Sequence, residues 1–243
     1  MCGLCGQESH DRIAPTRRGL LLGAAVAGLF FASGAYAKKT KAPPKPENVI
    51  SPEASLKRLM EGNARYVDGV SRRHDFKHER EALVGGQNPY AAILSCADSR
   101  IAPEYAFDSG RGDLFVCRVA GNFATDETVA SLEYAVAVLK APSILVLGHD
   151  ACGAVDATIK SLKDDKTLPG HLPTLVTGLA PAVKAVANQP GNALDNAIRR
   201  NVIDTVAKLK SATPILSAAV ESSKLKVVGG IYRLKDGKVD MVA

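Results

Sequence analysis

Three near-continuous apolar runs constrain the fold of this chain more than any other feature. They are Tyr90–Ser95, Leu114–Val119 and Ser143–Leu147. Runs in which polar residues do not alternate with apolar ones are typical of strands buried on both faces. Segments with helical spacing lie between them, and strands that alternate with helices favour a mostly parallel β-sheet flanked by helices. The sequence therefore predicts an α/β fold.

The helix signals and the end of the chain complete this prediction. Ser51-Pro52-Glu53 combines an N-cap, a proline and an acidic residue, and it begins the first helix. Thr125 begins another, which we expect to run to about Lys140. Further helices are expected at residues 76–84, 153–162, 174–186 and 193–210, with a shorter one from Pro214. The period then changes to that of strands, so Lys226–Leu234 and Val239–Val242 predict an added C-terminal strand or hairpin.

Residues 1–37 predict an export signal. Arg17 and Arg18 precede an apolar run from Leu20 to about Ala32, and small residues follow up to Ala37. A charged region, an apolar region and an A-x-A cleavage site make up a signal peptide. The order of residues around the two arginines resembles a twin-arginine signal, which predicts a periplasmic or otherwise exported protein cleaved after Ala37.

The alternative for the same segment is a membrane anchor that stays uncleaved. The apolar run is shorter than the roughly 20 residues that span a bilayer, so we expect no stable membrane insertion after cleavage. Residues 38–50 predict a Lys/Pro-rich linker, and residues 51–243 a single domain.

Charge and cysteine content exclude some function classes. The net charge is +6, there is no Trp, and no basic stripe is interleaved with aromatic residues, which argues against nucleic-acid binding. Cys2 and Cys5 lie ahead of the two arginines, in the segment expected to be removed, which leaves Cys96, Cys117 and Cys152 for the mature chain. An odd number of cysteines argues against a simple disulfide framework in an exported protein.

Two polar clusters follow the first and third predicted strands. Cys96 and Asp98 come after the first strand, and His149 and Cys152 come after the third. In parallel sheets, sites form beyond the carboxyl ends of the strands, so these clusters meet if the two strands are neighbours. Zinc takes thiolate, imidazole and carboxylate ligands, whereas soft thiolates disfavour magnesium and calcium. The sequence therefore predicts a zinc centre.

Each residue also has a simpler explanation when it is considered alone. A buried cysteine is usually a small apolar residue, which is our interpretation of Cys117. Asp98 could cap a turn, Arg100 could only pair with Asp98, and Gly153 could be required only for tight packing. The pattern gains its specificity because both halves follow equivalent strand ends.

These residues resemble the β-class carbonic anhydrases. The C-x-D-x-R signature of that family is present as Cys96-Ala97-Asp98-Ser99-Arg100, and its H-x-x-C signature as His149-Asp150-Ala151-Cys152. Gly86-Gln87-Asn88-Pro89 and Ala120-Gly121-Asn122 match the surroundings of these signatures. The similarity covers Ser51 to the C-terminus, and it departs from many members at Val119, where they have asparagine.

The resemblance implies a complete enzymatic reaction. Zinc is held by Cys96, His149 and Cys152, and the fourth ligand is water in the active state or Asp98 in a closed state. Zinc-bound hydroxide attacks CO2 and yields bicarbonate and a proton. Asp98 and Arg100 form a dyad that gates the metal and handles the proton, and Gln87 and the backbone N–H of Gly153 orient bicarbonate. A homodimer or a higher multiple of dimers is also implied, with the first helix embracing the partner.

Three other functions stay open from the sequence. A carbon disulfide or carbonyl sulfide hydrolase on the same scaffold keeps the same ligands and differs in access to the pocket. A non-catalytic zinc protein would use Asp98 as a permanent fourth ligand, and it would need neither Arg100 nor Gln87. A thiol redox protein would use Cys96 and Cys152, which would leave His149 without a role.

Overall fold

The computed structural model describes residues 50–243. The predicted signal peptide, the linker up to residue 49 and the Cys2–Cys5 pair lie outside the described residues and stay predictions. Within the described part of the chain, no helix combines the length and the apolar character that are needed to cross a bilayer.

A five-stranded sheet organises the described residues. Its strands, in chain order, are β1 (Ala91–Ser95), β2 (Leu114–Arg118), β3 (Ser143–His149), β4 (Lys226–Tyr232) and β5 (Val239–Met241). The order across the sheet is β2-β1-β3-β4-β5. All neighbours are parallel except β5, which runs antiparallel to β4. The predicted α/β fold, with a mostly parallel sheet and an added C-terminal strand, is therefore confirmed.

Helices connect the strands and cover both faces of the sheet. In chain order they are α1 (Pro52–Val67), α2 (Phe76–Leu83), α3 (Pro103–Ala106), α4 (Asp126–Ala137), α5 (Gly153–Lys163), α6 (Pro173–Ala185), α7 (Ala193–Lys210) and α8 (Ile215–Glu221). Ser51 caps α1 as predicted, because its side chain accepts a hydrogen bond from the N–H of Ala54. The helix expected to reach Lys140 ends at Ala137, and Lys140 itself has a left-handed backbone (φ 61°), which a helix cannot continue through. The short helix α3 was not predicted, since four residues are too few to show a helical period.

Alternate residues of the two central strands supply two separate cores. Ala92 and Leu94 of β1 face one side, together with Ile144 and Val146 of β3, and they pack with α7 through residues such as Val202. The intervening residues face the other side, where Ile93 and Leu145 pack with Leu59 of α1. This alternation follows from the period of two in a strand, and it confirms that β1 and β3 are buried on both faces.

Strand β2 departs from the prediction that its apolar run is buried on both faces. Its residues Leu114 to Cys117 are only half-buried, and Arg118 is exposed. The reason is its position at the edge of the sheet, where a strand has one neighbour instead of two. Cys117 packs against the core as a partly buried side chain, and burial raises the pKa of its thiol. It lies outside the group of residues described next.

Candidate metal centre

The pairing of β1 with β3 brings the two predicted polar clusters together. The strands run parallel with Ser95 opposite Leu147, so Cys96 leaves the sheet beside the end of β3. The side chains of Cys96, His149 and Cys152 are all buried, and their ligand atoms lie within 4.8 Å of one another. Residues separated by more than 50 positions in the sequence therefore converge on one point, as the sequence analysis predicted.

His149 is oriented as a metal ligand. Its side chain is fully buried, and its Nδ1 donates a hydrogen bond to the carbonyl oxygen of Asp150 at 2.8 Å. That bond assigns the proton to Nδ1 and leaves the lone pair on Nε2. The buried Nε2 has no hydrogen-bond partner. An unpaired buried nitrogen is costly unless something occupies the space in front of it.

The two cysteines of the cluster differ in the pKa of their thiols. The pKa of Cys96 lies well below its ordinary value, chiefly because Cys152 donates a hydrogen bond to its sulfur, and the backbone N–H of Gly121 donates a further bond at 3.2 Å. The pKa of Cys152 is raised for the complementary reason, since its thiol keeps the proton that it donates in the hydrogen bond to Cys96, and burial adds to this. Burial lowers the pKa of His149, but the adjacent Cys96 sulfur outweighs this effect and raises it overall.

This donor set fits zinc. Two sulfurs and one imidazole nitrogen are ligands that zinc prefers in a tetrahedral site, and three protein ligands leave a fourth position for a reactant. The Nε2 atom of His149, which has no hydrogen-bond partner, and the Cys96 thiol, whose pKa is low, face one point in the buried cluster. Binding of a metal would release the remaining proton from Cys152. Cys96, His149 and Cys152 are therefore the residues that would hold the ion.

Asp98 stands beside this cluster but is held by Arg100. Both carboxylate oxygens accept hydrogen bonds from the Arg100 side chain, at 2.9 Å from Nε and 2.7 Å from Nη2. Oδ2 lies 3.9 Å from the unpaired Nε2 of His149. Hydrogen bonding from Arg100 holds the pKa of Asp98 well below its usual range, so the carboxylate stays ionised. Arg100 also donates to the carbonyl of Ala151 at 3.3 Å and thereby joins the loops that follow β1 and β3.

Gly153 and Gln87, the predicted bicarbonate-orienting residues, lie in different places. Gly153 is the first residue of α5, where backbone N–H groups have no partner within the helix. A Cβ built on it would meet no atom within 4 Å, so tight packing does not explain this glycine. Gln87 is exposed and precedes the amino end of β1, whereas Cys96 follows the carboxyl end of the same strand. One chain therefore does not bring Gln87 to its own metal ligands.

Two further side chains support the site and were not identified from the sequence. Arg118, the last residue of β2, donates hydrogen bonds to three carbonyl oxygens of the loop that carries Cys96 and Asp98. Asn201 of α7 donates to the carbonyl of Gly121 at 2.8 Å, which fixes the peptide whose N–H contacts Cys96. An arginine at the end of an apolar strand does not by itself indicate the role of Arg118. No local pattern indicates the role of Asn201.

Comparisons with known proteins identify the family of this arrangement. The carbonic anhydrase family model matches residues 91–239. A Mycobacterium tuberculosis carbonic anhydrase 2 is 39% identical over 189 residues, which cover 77% of this chain and 91% of that protein. A Mycolicibacterium smegmatis carbonic anhydrase is 37% identical, with 79% and 93% covered. Tetrameric β-carbonic anhydrases from the ascomycete Sordaria macrospora share the fold, with a TM-score of 0.62 and 25% identity over 78% of this chain and 98% of theirs.

Proposed function

The chain belongs to the β-class carbonic anhydrases, and from its site we propose that it catalyses the reversible hydration of CO2 to bicarbonate and a proton. One observation carries this proposal more than the others. Cys96, His149 and Cys152 converge in a buried cluster, while Arg100 keeps the Asp98 carboxylate 3.9 Å from the free nitrogen of His149. The cluster thus has ligands for zinc and an ionised base beside it.

Zinc at this cluster would supply Lewis acidity that lowers the pKa of a water molecule toward neutrality. The chain's own residues set how far that effect goes. The thiolates of Cys96 and Cys152 cancel the charge of a divalent ion, so they favour ionisation of water less than neutral ligands do. We therefore expect activity to rise toward alkaline pH.

Asp98 is suited to take the proton of that water. Arg100 keeps the carboxylate ionised and fixes its direction through both oxygens. An ionised carboxylate within reach of the reacting water acts as a general base, and its exposure to solvent allows the proton to leave. If Asp98 releases Arg100 and turns toward the metal ligands, it occupies the fourth position and closes the site.

The arrangement of Asp98 and Arg100 also favours a catalytic metal site over a structural one. A structural zinc site has four protein ligands, so Asp98 would have to point at the metal permanently. Here both of its oxygens are bonded to Arg100 instead. The open space over Gly153, at the amino end of α5, suits a bicarbonate anion.

Gln87 requires a second copy of the chain for the role that the family resemblance gives it. It precedes the opposite end of β1 from the ligands of its own chain. The exposed apolar side chains of Phe76, Val84 and Tyr105 line one cavity together with Leu114, at the amino end of β2. An assembly of dimers would cover such a surface. Sedimentation of the full chain tests this point, and a monomer at micromolar concentration would exclude a role for Gln87.

Stopped-flow measurement of CO2 hydration tests the proposed reaction. Zinc-loaded protein should show rapid hydration that increases from mildly acidic to alkaline pH, with one zinc per chain by elemental analysis. Cys152→Ala should lose both the zinc and the activity, because one ligand is removed. Cys117→Ala is the matched control, since this third described cysteine lies outside the cluster, and it should keep both.

Two results would contradict the proposal. A hydration rate that does not depend on pH would contradict the expectation that two thiolate ligands raise the pH needed for activity. Absence of hydration, despite one zinc per chain, would support the metal site but exclude CO2 as the substrate. Sulfide release from carbon disulfide would then be measured on the same samples.

A further inference from the structure

Arg118 lies at the junction between the edge strand and the metal-binding loop. It is the last residue of β2 and is in register with Ser95, the last residue of β1. From there its side chain reaches the loop formed by residues 96–101. Nε donates to the carbonyl of Cys96 at 3.0 Å, and Nη2 donates to the carbonyls of Asp98 at 2.7 Å and Ile101 at 2.9 Å.

The three carbonyls mark the beginning, middle and end of that loop. Cys96 is the first metal ligand, Asp98 is the proposed base, and Ile101 is a buried anchor in the core below. Hydrogen bonds from a charged donor are roughly twice as strong as neutral ones. A single guanidinium group therefore closes the loop across its whole length.

Asp98 is consequently held by two arginines through different atoms. Arg100 binds its carboxylate, and Arg118 binds its main-chain carbonyl. The N–H of Ile101 donates to that same carbonyl at 3.2 Å. Release of the carboxylate from Arg100 alone leaves the peptide in place, whereas loss of Arg118 frees the peptide that sets the direction of the side chain.

We propose that Arg118 is a positioning residue for the reaction, and that it fixes the loop of residues 96–101 so that the Asp98 carboxylate faces Arg100 rather than the metal ligands. The inference rests on the proposed hydration activity for its kinetic part and on loop geometry alone for its structural part. Arg118 contacts neither the ligand atoms nor the carboxylate, so it acts through the backbone of Asp98.

The experiment compares Arg118→Met, Arg118→Lys, Asp98→Ala and the double variant Asp98→Ala/Arg118→Met in the full-length, zinc-loaded protein. Arg200→Met is the matched control, because Arg200 is a partly exposed arginine paired with Asp204 on α7, outside the site. Hydrogen exchange of the amides of residues 96–101 is measured together with zinc content, kcat and KM.

We expect Arg118→Met to keep one zinc per chain and to speed exchange in the loop by about tenfold or more. Its kcat should fall about 10- to 100-fold with little change in KM, since a displacement of about 1 Å in catalytic geometry can have that effect. Arg118→Lys should show smaller changes than Arg118→Met in both the exchange rate of the loop and kcat. In the Asp98→Ala background, Arg118→Met should change kcat less than about twofold, because the residue it positions is already absent.

Several outcomes would overturn the inference. Unchanged exchange in Arg118→Met would show that the loop does not need the guanidinium, and an equal loss of kcat in the Asp98→Ala background would show that Arg118 acts elsewhere. Loss of zinc would assign it a structural role. If Arg118→Met does not fold, Arg118→Lys carries the same comparison. If the wild type hydrates no CO2, the proposed function fails, while the exchange data still decide whether Arg118 holds the loop.

Discussion

Two regions of the molecule place an aspartate between an arginine and a histidine, with closely similar distances and different environments. In the Asp98 region, the carboxylate lies 2.7 Å from Arg100 Nη2 and 3.9 Å from His149 Nε2. In the Asp108 region, the carboxylate lies 2.6 Å from Arg65 Nε and 3.9 Å from His74 Nε2. Carboxylate, guanidinium and imidazole alone do not distinguish the two regions.

The remaining contacts do distinguish them. In the Asp108 region, the imidazole of His74 also faces Glu79 through Nδ1 at 3.2 Å. The Asp108 side chain is only 2% exposed, and its carboxylate accepts a hydrogen bond from the backbone N–H of Arg72. In the Asp98 region, the imidazole faces two sulfurs and has an unpaired buried nitrogen. Among residues 50–243, the group of potential ligands close enough to hold a metal is the one with the sulfurs.

The difference teaches that the sulfurs, and not the dyad, make a reactive site. A buried carboxylate whose hydrogen bonds are all made to the protein stabilises the fold. A half-buried carboxylate beside an unsatisfied nitrogen is available for chemistry. Removing single side chains should therefore lower activity in the Asp98 region and lower the free energy of unfolding in the Asp108 region.

The largest expected effect is on turnover, in the Asp98 region. Asp98→Ala should lower kcat about 100-fold or more, because a positioned base contributes roughly that factor. Zinc should remain bound, since Asp98 is not among the three buried ligands. The unfolding free energy should change by less than about 1 kcal/mol, because Arg100 is half exposed and such pairs contribute little. Stopped-flow hydration, zinc analysis and urea unfolding measure the three quantities. Loss of zinc would make Asp98 an obligatory ligand.

A smaller effect, on stability, is expected from Asp108→Asn. Removal of one partner of a largely buried pair leaves Arg65 without its counterion, and we expect a loss of about 2 kcal/mol at neutral pH, reduced from the fully buried case because Arg65 is 25% exposed. Activity per bound zinc should be unchanged. An equal loss of kcat would show that the two regions are not independent.

The stability effect of Asp108 should also depend on pH. Burial raises the pKa of this carboxyl group, but the bonds from Arg65 and from the N–H of Arg72 outweigh it, and the pKa lies below its ordinary value. A depressed pKa contributes stability that is present above the ordinary pKa and is lost as the pH falls through the lowered one. The difference in unfolding free energy between wild type and Asp108→Asn should therefore shrink in acid, and a difference that stays constant down to about pH 2 would contradict the assignment.

The smallest effect is expected from His74→Gln. His74 is 21% exposed, and its contact with Asp108 is 3.9 Å long, so the unfolding free energy should fall by less than about 1 kcal/mol. Activity and zinc content should equal those of the wild type. His149→Gln is the matched comparison, because the same substitution at the other 3.9 Å contact removes a metal ligand and should abolish zinc binding.

The residues of the metal cluster could be predicted from the sequence, whereas the residues that hold the surrounding loops in place could not. Cys96, His149 and Cys152 were identifiable because thiols and an imidazole follow two strand ends that a parallel sheet brings together. The helix at residues 193–210 was predicted with its observed bounds for a similar reason, since its apolar period and N-cap are local features. Local pattern and topology are both encoded in the order of residues.

The rest depended on contacts that no local pattern contains. Strand β2 has the composition of a central strand and the position of an edge strand, and only the sheet order shows which applies. Arg118 could not be assigned from the sequence, because an arginine at a strand end usually extends into solvent, and its partners are neutral carbonyls of another segment. The two aspartates likewise differ in burial and in contacts with distant segments, which the residues next to them in the sequence do not indicate.

The register between β1 and β3 would give a bound metal a further effect, on the alignment of the two strands. Ser95 lies opposite Leu147, and a slip of one residue would turn every side chain of one strand to the other face. Cys96 would then point away from His149 and Cys152, and a misaligned chain would offer two ligands instead of three. Because zinc would bind more tightly to three ligands than to two, its binding would favour the native alignment over the shifted one. Zinc binding would thus help to set the register of two strands whose apolar sequences carry few other marks of it.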